Sequence, residues 1–409
     1  MTDRSGPDDA YLLSYVRTPR GKASPRGGLA SVTPLDLVRG LLDALAARTG
    51  LDPARVDDVI LGSAGQVDEQ GANLARTAVL LAGWPHGIPG QTVNRFCASG
   101  IDAVATAAAL VRSGQADLVV AGGVESSSRV PMFADRGPLW TDAAVIDGVG
   151  SVHMGIAADV VATEDGRERA ELDAYGVRTQ QRAARAWAEG RFSAGVMPVA
   201  APDGTILLDH DEHVRPSATY EQLAALEPAF AELGATGQDA LAQRHLPHLK
   251  EIRHLHTRGT SPSVADAACL TLIGNRQSAE RLGLTPRARI AASASAATDP
   301  VRMLLAGQTA VVRALQRAGL HPGDLDVVEY AEAFAALCLR IQDDLDFGDD
   351  RFNVNGGTIA MGHAFGATGA ILVGACADEL ARSGGRFGTA AVSGAAGLGS
   401  AVVLEAVAS

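Results

Sequence analysis

Apolar residues recur along most of the chain at spacings typical of alternating strands and helices. A continuously apolar run at Asp117–Ala121 predicts a strand covered on both faces. Before it, an alanine-rich pattern predicts a helix over about Ser99–Ser113, suited to close packing on every side. Near the start, Tyr11–Val16 is predicted to be a strand and Thr33–Arg48 an amphipathic helix. This alternation indicates an α/β fold with mostly parallel, helix-covered sheets.

The pattern of the first half of the chain recurs in the second half. Gly319–Glu329 reads GLHPGDLDVVE and matches GLDPARVDDVI at Gly50–Ile60, 269 residues earlier. The RSG segment that begins at Arg382 and leads into FGTAAVSG matches the RSG segment at Arg112, which leads into ADLVVAGG, 270 residues earlier. Two independent matches at one spacing predict a duplicated α/β unit.

Residues 126–261 differ from both halves in charge, predicted secondary structure and histidine content. They are more charged, show helical patterns at Glu171–Gly190 and Tyr220–Leu233, and hold seven of the ten histidines. We interpret them as an inserted, mainly helical loop domain that lies over the core, where substrate recognition is common. The predicted domains are residues 1–125 together with 262–290, the inserted residues 126–261, and residues 291–409.

Composition narrows the class of protein. The chain has 409 residues, of which 47% are hydrophobic and only 4% aromatic, with 46 glycines, so small aliphatic side chains must build the core. No apolar run reaches the roughly 18 residues of a membrane span, and the first residues lack a signal-peptide layout. The net charge of −12 argues against nucleic acid as a partner. Four widely spaced cysteines without a CxxC pair predict neither disulfides nor zinc, and a cytoplasmic location is expected.

Two loops carry candidate chemistry. Cys97 lies where a loop enters a predicted helix, and the free amides and dipole of a helix N-terminus favour a nucleophilic thiolate. The alternative is a small buried hydrophobe. His363 lies in the glycine-rich stretch Asn353–Gly369, where backbone can approach a ligand closely, although a solvated or structural histidine is the alternative. The repeat places each loop before an equivalent helix, Ala367–Ser383 in the second half. A cysteine and a histidine facing each other would suffice to form a thioester on the enzyme.

Three strings around these positions resemble the thiolases, the acyl-CoA C-acyltransferases that include the acetyl-CoA acetyltransferases. They are NRFCASG, the GGTIAMGHAFGATG run and SGAAGLG near the C-terminus. Further strings occur in family order along nearly the whole chain: YVRTPRGK, AGGVES, VHMG, GRFSAGVMPV, DEHVRPSAT and AEAFA. The resemblance implies a thiolase-like α/β fold with two duplicated core domains and an inserted loop domain. It also implies a coenzyme A thioester as substrate with no separate cofactor or metal, and a homodimer or homotetramer. An acyl carrier protein is a further partner to consider.

Carried over residue by residue, the resemblance assigns catalytic roles. Cys97 would accept the acyl group, and His363 would activate it and later donate to the thioester oxygen of the second substrate. The backbone N–H groups of Cys97 and Ala395 would form the oxyanion hole for acyl transfer. Ser393 occupies the third catalytic position. The positions that would line the coenzyme A groove are His153, Met154, Arg215, Phe230, Ala333 and Phe334. For Met154, Phe230 and Phe334 ordinary core packing is the alternative.

The chain also departs from the family pattern, as a divergent member. Thiolases usually have a second cysteine where this chain has Ser393, and a hydroxyl is a poor general base unless another group activates it. The motif asparagine that positions a water is replaced by Ala331. A serine that usually contacts pantetheine is Pro262, and Arg258 replaces a small residue. The residues needed for acylation are therefore present, whereas those needed to make or break a carbon–carbon bond are altered.

Three functions follow for testing. The first is a thiolase-type acyltransferase that works by 3-ketoacyl-CoA thiolysis or Claisen condensation, as in fatty acid metabolism. The second is a condensing enzyme, acyltransferase or thioesterase of a specialised pathway on the same fold. The third is a non-catalytic acyl-CoA or carrier-binding protein, which would need neither Cys97 nor His363. The basic run Arg244–Arg258 could bind coenzyme A phosphates or an acidic carrier, or be a partly solvated helical face.

Overall fold

The computed structural model describes residues 9–407. Residues 1–8 and 408–409, which belong to the predicted terminal domains, lie outside the described residues. The strands are β1 (Tyr11–Arg17), β2 (Gly21–Lys22), β3 (Asp58–Gly62), β4 (Gln91–Val93), β5 (Leu118–Ser126), β6 (Val199–Ala200), β7 (Ile206–Leu208), β8 (Ala265–Gly274), β9 (Ala288–Ala297), β10 (Val327–Tyr330), β11 (Phe387–Gly394) and β12 (Leu398–Ala406).

Helices connect and cover these strands. They are α1 (Pro34–Thr49), α2 (Leu74–Leu81), α3 (Ser99–Arg112), α4 (Pro138–Thr141), α5 (Ala143–Val149), α6 (Met154–Glu164), α7 (Arg169–Ala188), α8 (Tyr220–Ala224), α9 (Ala231–Leu233), α10 (Asp239–His245), α11 (Arg276–Leu282), α12 (Ala306–Ala318), α13 (Ala335–Leu345), α14 (Thr358–Met361) and α15 (Phe365–Ser383).

The two halves of the chain have the same plan, as the repeat predicts. The strand order β1-β8-β5-β3-β4 of the first half corresponds to β9-β12-β11-β10 of the second. Helices α1 and α12 end at Gly50 and Gly319, which both adopt the left-handed conformation that glycine tolerates. The two halves join where the start of β1 pairs with β9, Tyr11 opposite Arg289 and Leu12 opposite Ala288. The duplicated α/β fold is confirmed.

Strand directions differ from the sequence expectation. Among the strands of residues 9–407, the parallel pairs are β3 with β4 and β5, and β10 with β11. The pairs β1–β8, β5–β8, β9–β12 and β11–β12 are antiparallel. The expectation of mostly parallel sheets is wrong because β8 returns to the sheet after the inserted domain and β12 follows β11 through a tight turn. The predicted boundary between residues 290 and 291 falls inside β9, which pairs with β12 along its whole length.

Helices α3 and α15 form a central layer between the two halves. Their buried residues pack on the inner faces of both sheet halves, while α1 and α2 cover one outer face and α12 and α13 the other. At their N-terminal ends the two backbones touch. A Cβ atom on Gly100 would lie 2.5 Å from the carbonyl oxygen of Gly366 and 2.9 Å from the amide nitrogen of Ala370. Only glycine at position 100 permits this approach.

The inserted region is mainly helical, from α4 to α10, and its helices α6 and α10 pack in one cluster with Leu304, Phe334 and Ala395 of the second half. The single helix predicted at Tyr220–Leu233 is wrong: α8 ends at Ala224, and Pro228 lies in the irregular segment before α9. Ala143–Glu164 is long and apolar enough to cross a membrane by length and composition alone, which is weak evidence for a span, and Asp147, His153 and Asp159 interrupt it as an apolar run. It consists of α5 and α6 with a break between them, and half of it is buried inside the molecule.

Candidate active site

Cys97 and His363 occupy equivalent positions in the duplicated fold. Cys97 lies two residues before the first residue of α3, and His363 lies two residues before the first residue of α15. Because α3 and α15 cross at their N-terminal ends, the two loops converge. Both side chains line one cavity of about 170 Å³. The structure thus brings together the two residues that the sequence singles out.

A tight turn holds Cys97 in place. Phe96 has a φ of 49°, a left-handed conformation that is unusual for a bulky residue. The Ser99 hydroxyl fixes the turn by accepting from Arg95 N–H at 2.9 Å and donating to the carbonyl oxygen of Phe96 at 2.5 Å. Gly394 passes alongside, where a Cβ atom would lie 3.4 Å from Cys97 N. The turn therefore presents the Cys97 thiol to the backbone at the end of β11.

The thiol is buried and protonated at neutral pH. Cys97 is only 7% exposed, and burial together with the negative charge of Glu125 raises its pKa to about 12. The backbone N–H groups of Cys97 and Ala395 both bond to the sulfur and lower this pKa, but by less. The expectation that the helix N-terminus favours a resting thiolate is therefore wrong, because burial outweighs the dipole. The same two N–H groups are those predicted to form the oxyanion hole.

His363 is held as a neutral imidazole. The backbone N–H of His363 donates to the carbonyl oxygen of Ser263 at 2.8 Å, and the backbone carbonyl oxygen of His363 accepts from Ala265 N–H at 3.1 Å. These two bonds tie the loop to the start of β8. Nδ1 lies 2.9 Å from the hydroxyl of Thr368. Burial, with a smaller effect from Arg20, lowers the pKa of His363 to about 3. The site at rest contains a neutral thiol and a neutral imidazole.

Ser393 lines the same cavity, but its hydroxyl is engaged elsewhere. It donates to the carbonyl oxygen of Leu304 at 2.6 Å and accepts from Gly307 N–H at 2.9 Å. The hydroxyl of Tyr330 lies 2.8 Å away and completes the set as a donor, since the Ser393 proton is already committed. With its proton and both lone pairs used, the Ser393 hydroxyl has no free capacity to accept a proton from a substrate.

Most of the residues predicted to line the coenzyme A groove are found at this cavity. His153, Met154, Phe230, Ala333 and Phe334 line it. Their rings form a continuous wall: the centroids of His153 and Phe230 are 5.6 Å apart, and those of Phe230 and Phe334 are 5.7 Å apart. The structure does not bring Arg215 to this wall. It is exposed, and its backbone N–H donates to Gln180 at 2.8 Å.

Other lining residues were not predicted from the sequence. Met132, Ser261 and Phe365 contribute to the wall, and Ser261 has a buried hydroxyl with no hydrogen-bond partner among the described residues. Glu125 lies near the end of the buried strand β5, beside Cys97, and faces a second, smaller cavity. A charged residue shortly after the predicted strand Asp117–Ala121 was the available signal for Glu125, while the others carry no pattern.

Glu332 does not line the site. It is fully buried and accepts from Tyr175 at 2.8 Å, from Thr179 at 2.9 Å and from Ile359 N–H at 3.0 Å. These contacts hold α7 and α14 against the core. Glu332 therefore has a structural role and is not a replacement base. Ala331, next to it, is buried with no side-chain polar atom to hold a water.

The basic run Arg244–Arg258 is largely neutralised within the inserted domain. Helix α10 ends at His245, so the run is not one helical face. His254 lies 3.0 Å from both Asp159 and Asp239, and hydrogen bonding to Asp159 raises its pKa to about 9. Other contacts of the run with carboxylates are Arg244–Asp147, His248–Glu164, Arg253–Glu168 and His256–Asp159. Among the described residues, no cluster of three or more potential ligands is arranged to hold a metal.

Comparison with known proteins defines the class to which this fold and site belong. The family model for the thiolase N-terminal domain matches residues 10–240, and that for the thiolase C-terminal domain matches residues 284–406. The chain belongs to the thiolase family and is an acyltransferase of the thiolase type.

Similar proteins include a 3-oxoadipyl-CoA/3-oxo-5,6-dehydrosuberyl-CoA thiolase of Escherichia coli, 36% identical, covering 98% of this chain and all of the relative. A beta-ketoadipyl-CoA thiolase of Pseudomonas knackmussii is 37% identical over 98% of this chain and 99% of its own. A 3-ketoacyl-CoA thiolase of Saccharophagus degradans is 36% identical with the same coverage.

Proposed function

We propose that the chain transfers acyl groups from coenzyme A thioesters through an acyl-enzyme on Cys97. The observation that carries this proposal is the convergence of Cys97, His363 and the N–H groups of Cys97 and Ala395 on one cavity. His153, Met154, Phe230, Ala333 and Phe334 would hold the pantetheine arm on the wall of this cavity. Arg215, being exposed, would contact only the outer, phosphate-bearing part of coenzyme A.

The resting protonation states determine how acylation would proceed. With the Nδ1–H of His363 donating to Thr368, Nε2 keeps its lone pair and takes the proton from the thiol as sulfur attacks the carbonyl carbon. The new oxyanion is stabilised by the two backbone N–H groups, an effect of about 3 kcal/mol per donor. The carbon–sulfur bond to coenzyme A, or the carbon–carbon bond of a 3-ketoacyl substrate, then breaks. His363 returns the proton to the leaving group. The reaction needs no cofactor beyond the coenzyme A thioester.

Intact-mass spectrometry after mixing with acetyl-CoA tests this proposal. The expected result is a gain of one acetyl group that is absent in Cys97→Ser and at least 100-fold slower in His363→Ala. Acetylation that persists in Cys97→Ser would overturn the proposal. Failure of the wild-type chain to acetylate would favour the non-catalytic binding protein. Slow alkylation of Cys97 by iodoacetamide would not favour the binding protein, because the high pKa of Cys97 predicts slow alkylation for an active enzyme too.

A second candidate function is favoured by the saturated hydroxyl of Ser393. The names of two relatives specify thiolases that act on dicarboxylic 3-oxoacyl chains, and thiolysis or Claisen condensation is the first reaction to test. We propose that making or breaking the carbon–carbon bond is slow, because Ser393 cannot act as a base and position 331 holds an alanine in place of the motif asparagine. The acyl-enzyme would then serve a specialised condensing enzyme, acyltransferase or thioesterase. Acetoacetyl-CoA cleavage should rise in Ser393→Cys; no gain would count against this explanation.

Three further properties are proposed from the resemblance. They are a homodimer or homotetramer, a cytoplasmic location, and an acyl carrier protein as a possible alternative donor. The four cysteines are unpaired in the described part of the chain, which supports a reducing compartment. Light scattering on the purified chain would test the assembly. Acylation of Cys97 by an acyl carrier protein in place of acetyl-CoA would test the donor.

A further inference from the structure

Cys97 also lines a second cavity, most of whose other lining residues are absent from the first. It has a volume of about 50 Å³ and shares Cys97, Met132, Met154 and Phe365 with the larger cavity. The larger cavity contains His363 and the predicted coenzyme A residues. In the tetrahedral adduct that an acyl-CoA would form with Cys97, the reacting carbon carries two arms, the acyl chain and the pantetheine thiol. When the pantetheine arm occupies the larger cavity, the acyl arm is left to enter the second one.

The walls of this second cavity are mainly apolar and aromatic. Trp140 packs against Phe96, with ring centroids 5.7 Å apart, and against Phe133 at 4.7 Å. Val130 and Pro131 line the same cavity. Hydrocarbon transferred from water to such walls gains roughly 0.8 kcal/mol per buried CH₂ group. The cavity therefore favours an acyl chain that is itself apolar.

The charged groups of this cavity are both acidic. Glu125 is buried beside Cys97, and its carboxylate accepts from the N–H groups of Ala64, Gly65 and Gly366 and from the side chain of Gln70. Asp135 lies at the more exposed end. No lysine, arginine or histidine lines the cavity in the part of the chain that the structure describes. A second carboxylate on the acyl chain would face the Asp135 carboxylate and the Glu125 carboxyl, whose pKa burial raises, and would lose its water without gaining a cation.

The volume sets how much of an acyl chain the cavity can enclose. A water-sized group needs about 10–15 Å³, so the cavity of about 50 Å³ holds about three to five non-hydrogen atoms beyond the carbonyl carbon. We infer that this enzyme selects short, uncharged acyl groups and rejects acyl groups that end in a carboxylate. The inference rests on the acyl-enzyme proposed above and gives its substrate class. It separates this chain from relatives named for dicarboxylic substrates.

A shape-matched pair of substrates tests the charge. Succinyl-CoA and 4-methylpentanoyl-CoA have equally many atoms beyond the carbonyl carbon, but an isopropyl group in the second replaces the carboxylate. The rate of Cys97 acylation, followed by intact mass, is expected to be at least tenfold higher for 4-methylpentanoyl-CoA. Equal rates, or faster succinylation, would overturn the inference while leaving acetylation, and therefore the proposed function, intact. Loss of acetylation as well would mean that both fail.

Variants locate the selectivity in this cavity. Asp135→Lys should raise succinylation relative to 4-methylpentanoylation about tenfold, and Asp135→Asn should have a smaller effect in the same direction. Glu227→Lys is the matched control, because Glu227 is an exposed carboxylate that does not line the cavity. Octanoyl-CoA should acylate more slowly than butyryl-CoA in the wild type, and Trp140→Ala should remove this difference. An unchanged octanoyl rate in Trp140→Ala would place the acyl chain elsewhere.

Discussion

The pH dependence of Cys97 alkylation follows directly from the burial of its thiol. Only the thiolate reacts with iodoacetamide. With a pKa of about 12 in place of the ordinary 9.0, the thiolate at pH 8 is ~1000-fold scarcer than in an unperturbed cysteine. A more basic thiolate is also more nucleophilic, by ~20-fold for three pKa units. Cys97 should therefore react ~50-fold more slowly than a free cysteine at pH 8.

The shape of the profile is more diagnostic than the rate. Because the pKa of Cys97 is raised, the thiolate population grows tenfold per pH unit from pH 6 to 10 with no plateau. A thiolate–imidazolium pair would instead give a rate that levels off near neutrality. With the pKa of His363 lowered to about 3, removing the imidazole should leave the slope unchanged.

The assay is peptide mapping of carbamidomethylated Cys97 over time, in wild type and His363→Ala. Cys97→Ser reports the background alkylation of the other three cysteines. All three are buried, and burial raises the pKa of Cys269 to about 12. A plateau between pH 6 and 9 that disappears in His363→Ala would refute the neutral pair and with it the sequence of proton transfers proposed above.

Other predictions concern stability and are measured by urea unfolding. Burial and nearby carboxylates raise the pKa of Glu329 from 4.5 to about 8, so between these values the folded chain holds a proton that the unfolded chain loses, and stability falls as pH rises. Glu329→Gln should raise the free energy of unfolding by about 3 kcal/mol at pH 7 and leave it unchanged at pH 4. An equal change at both pH values would contradict this prediction. So would a change no larger than that of the exposed control Glu227→Gln. Ser393→Ala leaves Gly307 N–H and the Tyr330 hydroxyl without an acceptor and should lower the free energy of unfolding by about 2–5 kcal/mol. A change below 1 kcal/mol would mean that the Ser393 hydroxyl does not make these hydrogen bonds. Gly100→Ala forces a backbone contact between the central helices and should cost about 3 kcal/mol or more, whereas Gly40→Ala, on an open helix surface, should stabilise by about 1 kcal/mol.

The duplicated core could be predicted because its signals are local. Turn and cap residues such as Gly50 and Gly319 recur at one spacing and end equivalent helices in the structure. Strand direction could not, because it depends on where β8 and β12 re-enter the sheet after long or very short connections. The helix predicted at Tyr220–Leu233 fails for a reason the sequence does contain, since a proline stands in its interior.

The site was predictable in its chemical groups and not in their protonation. Cys97 and His363 stand out because each precedes a repeated helix and carries a family string. Their pKa values depend on burial by segments far away in sequence, which helix-dipole reasoning at one loop cannot include. The same holds for Ser393, whose hydroxyl is saturated by partners from two other segments. The second cavity joins residues 96, 125, 130–133, 135 and 140, which share no periodic pattern.

The contact of Gly100 with the backbone of Gly366 has a consequence for how this scaffold can diversify. Each of these glycines is the second residue of its helix, directly after the loop that carries a reactive group. The spacing of the Cys97 sulfur and the His363 imidazole is therefore set by α3 and α15, which touch at their N-terminal ends. Most of the residues that form the walls of the two cavities come from other segments of the chain. On the acyl-enzyme and the acyl-chain site proposed above, mutations in the inserted region are expected to change which acyl group is accepted without changing the positions of Cys97 and His363.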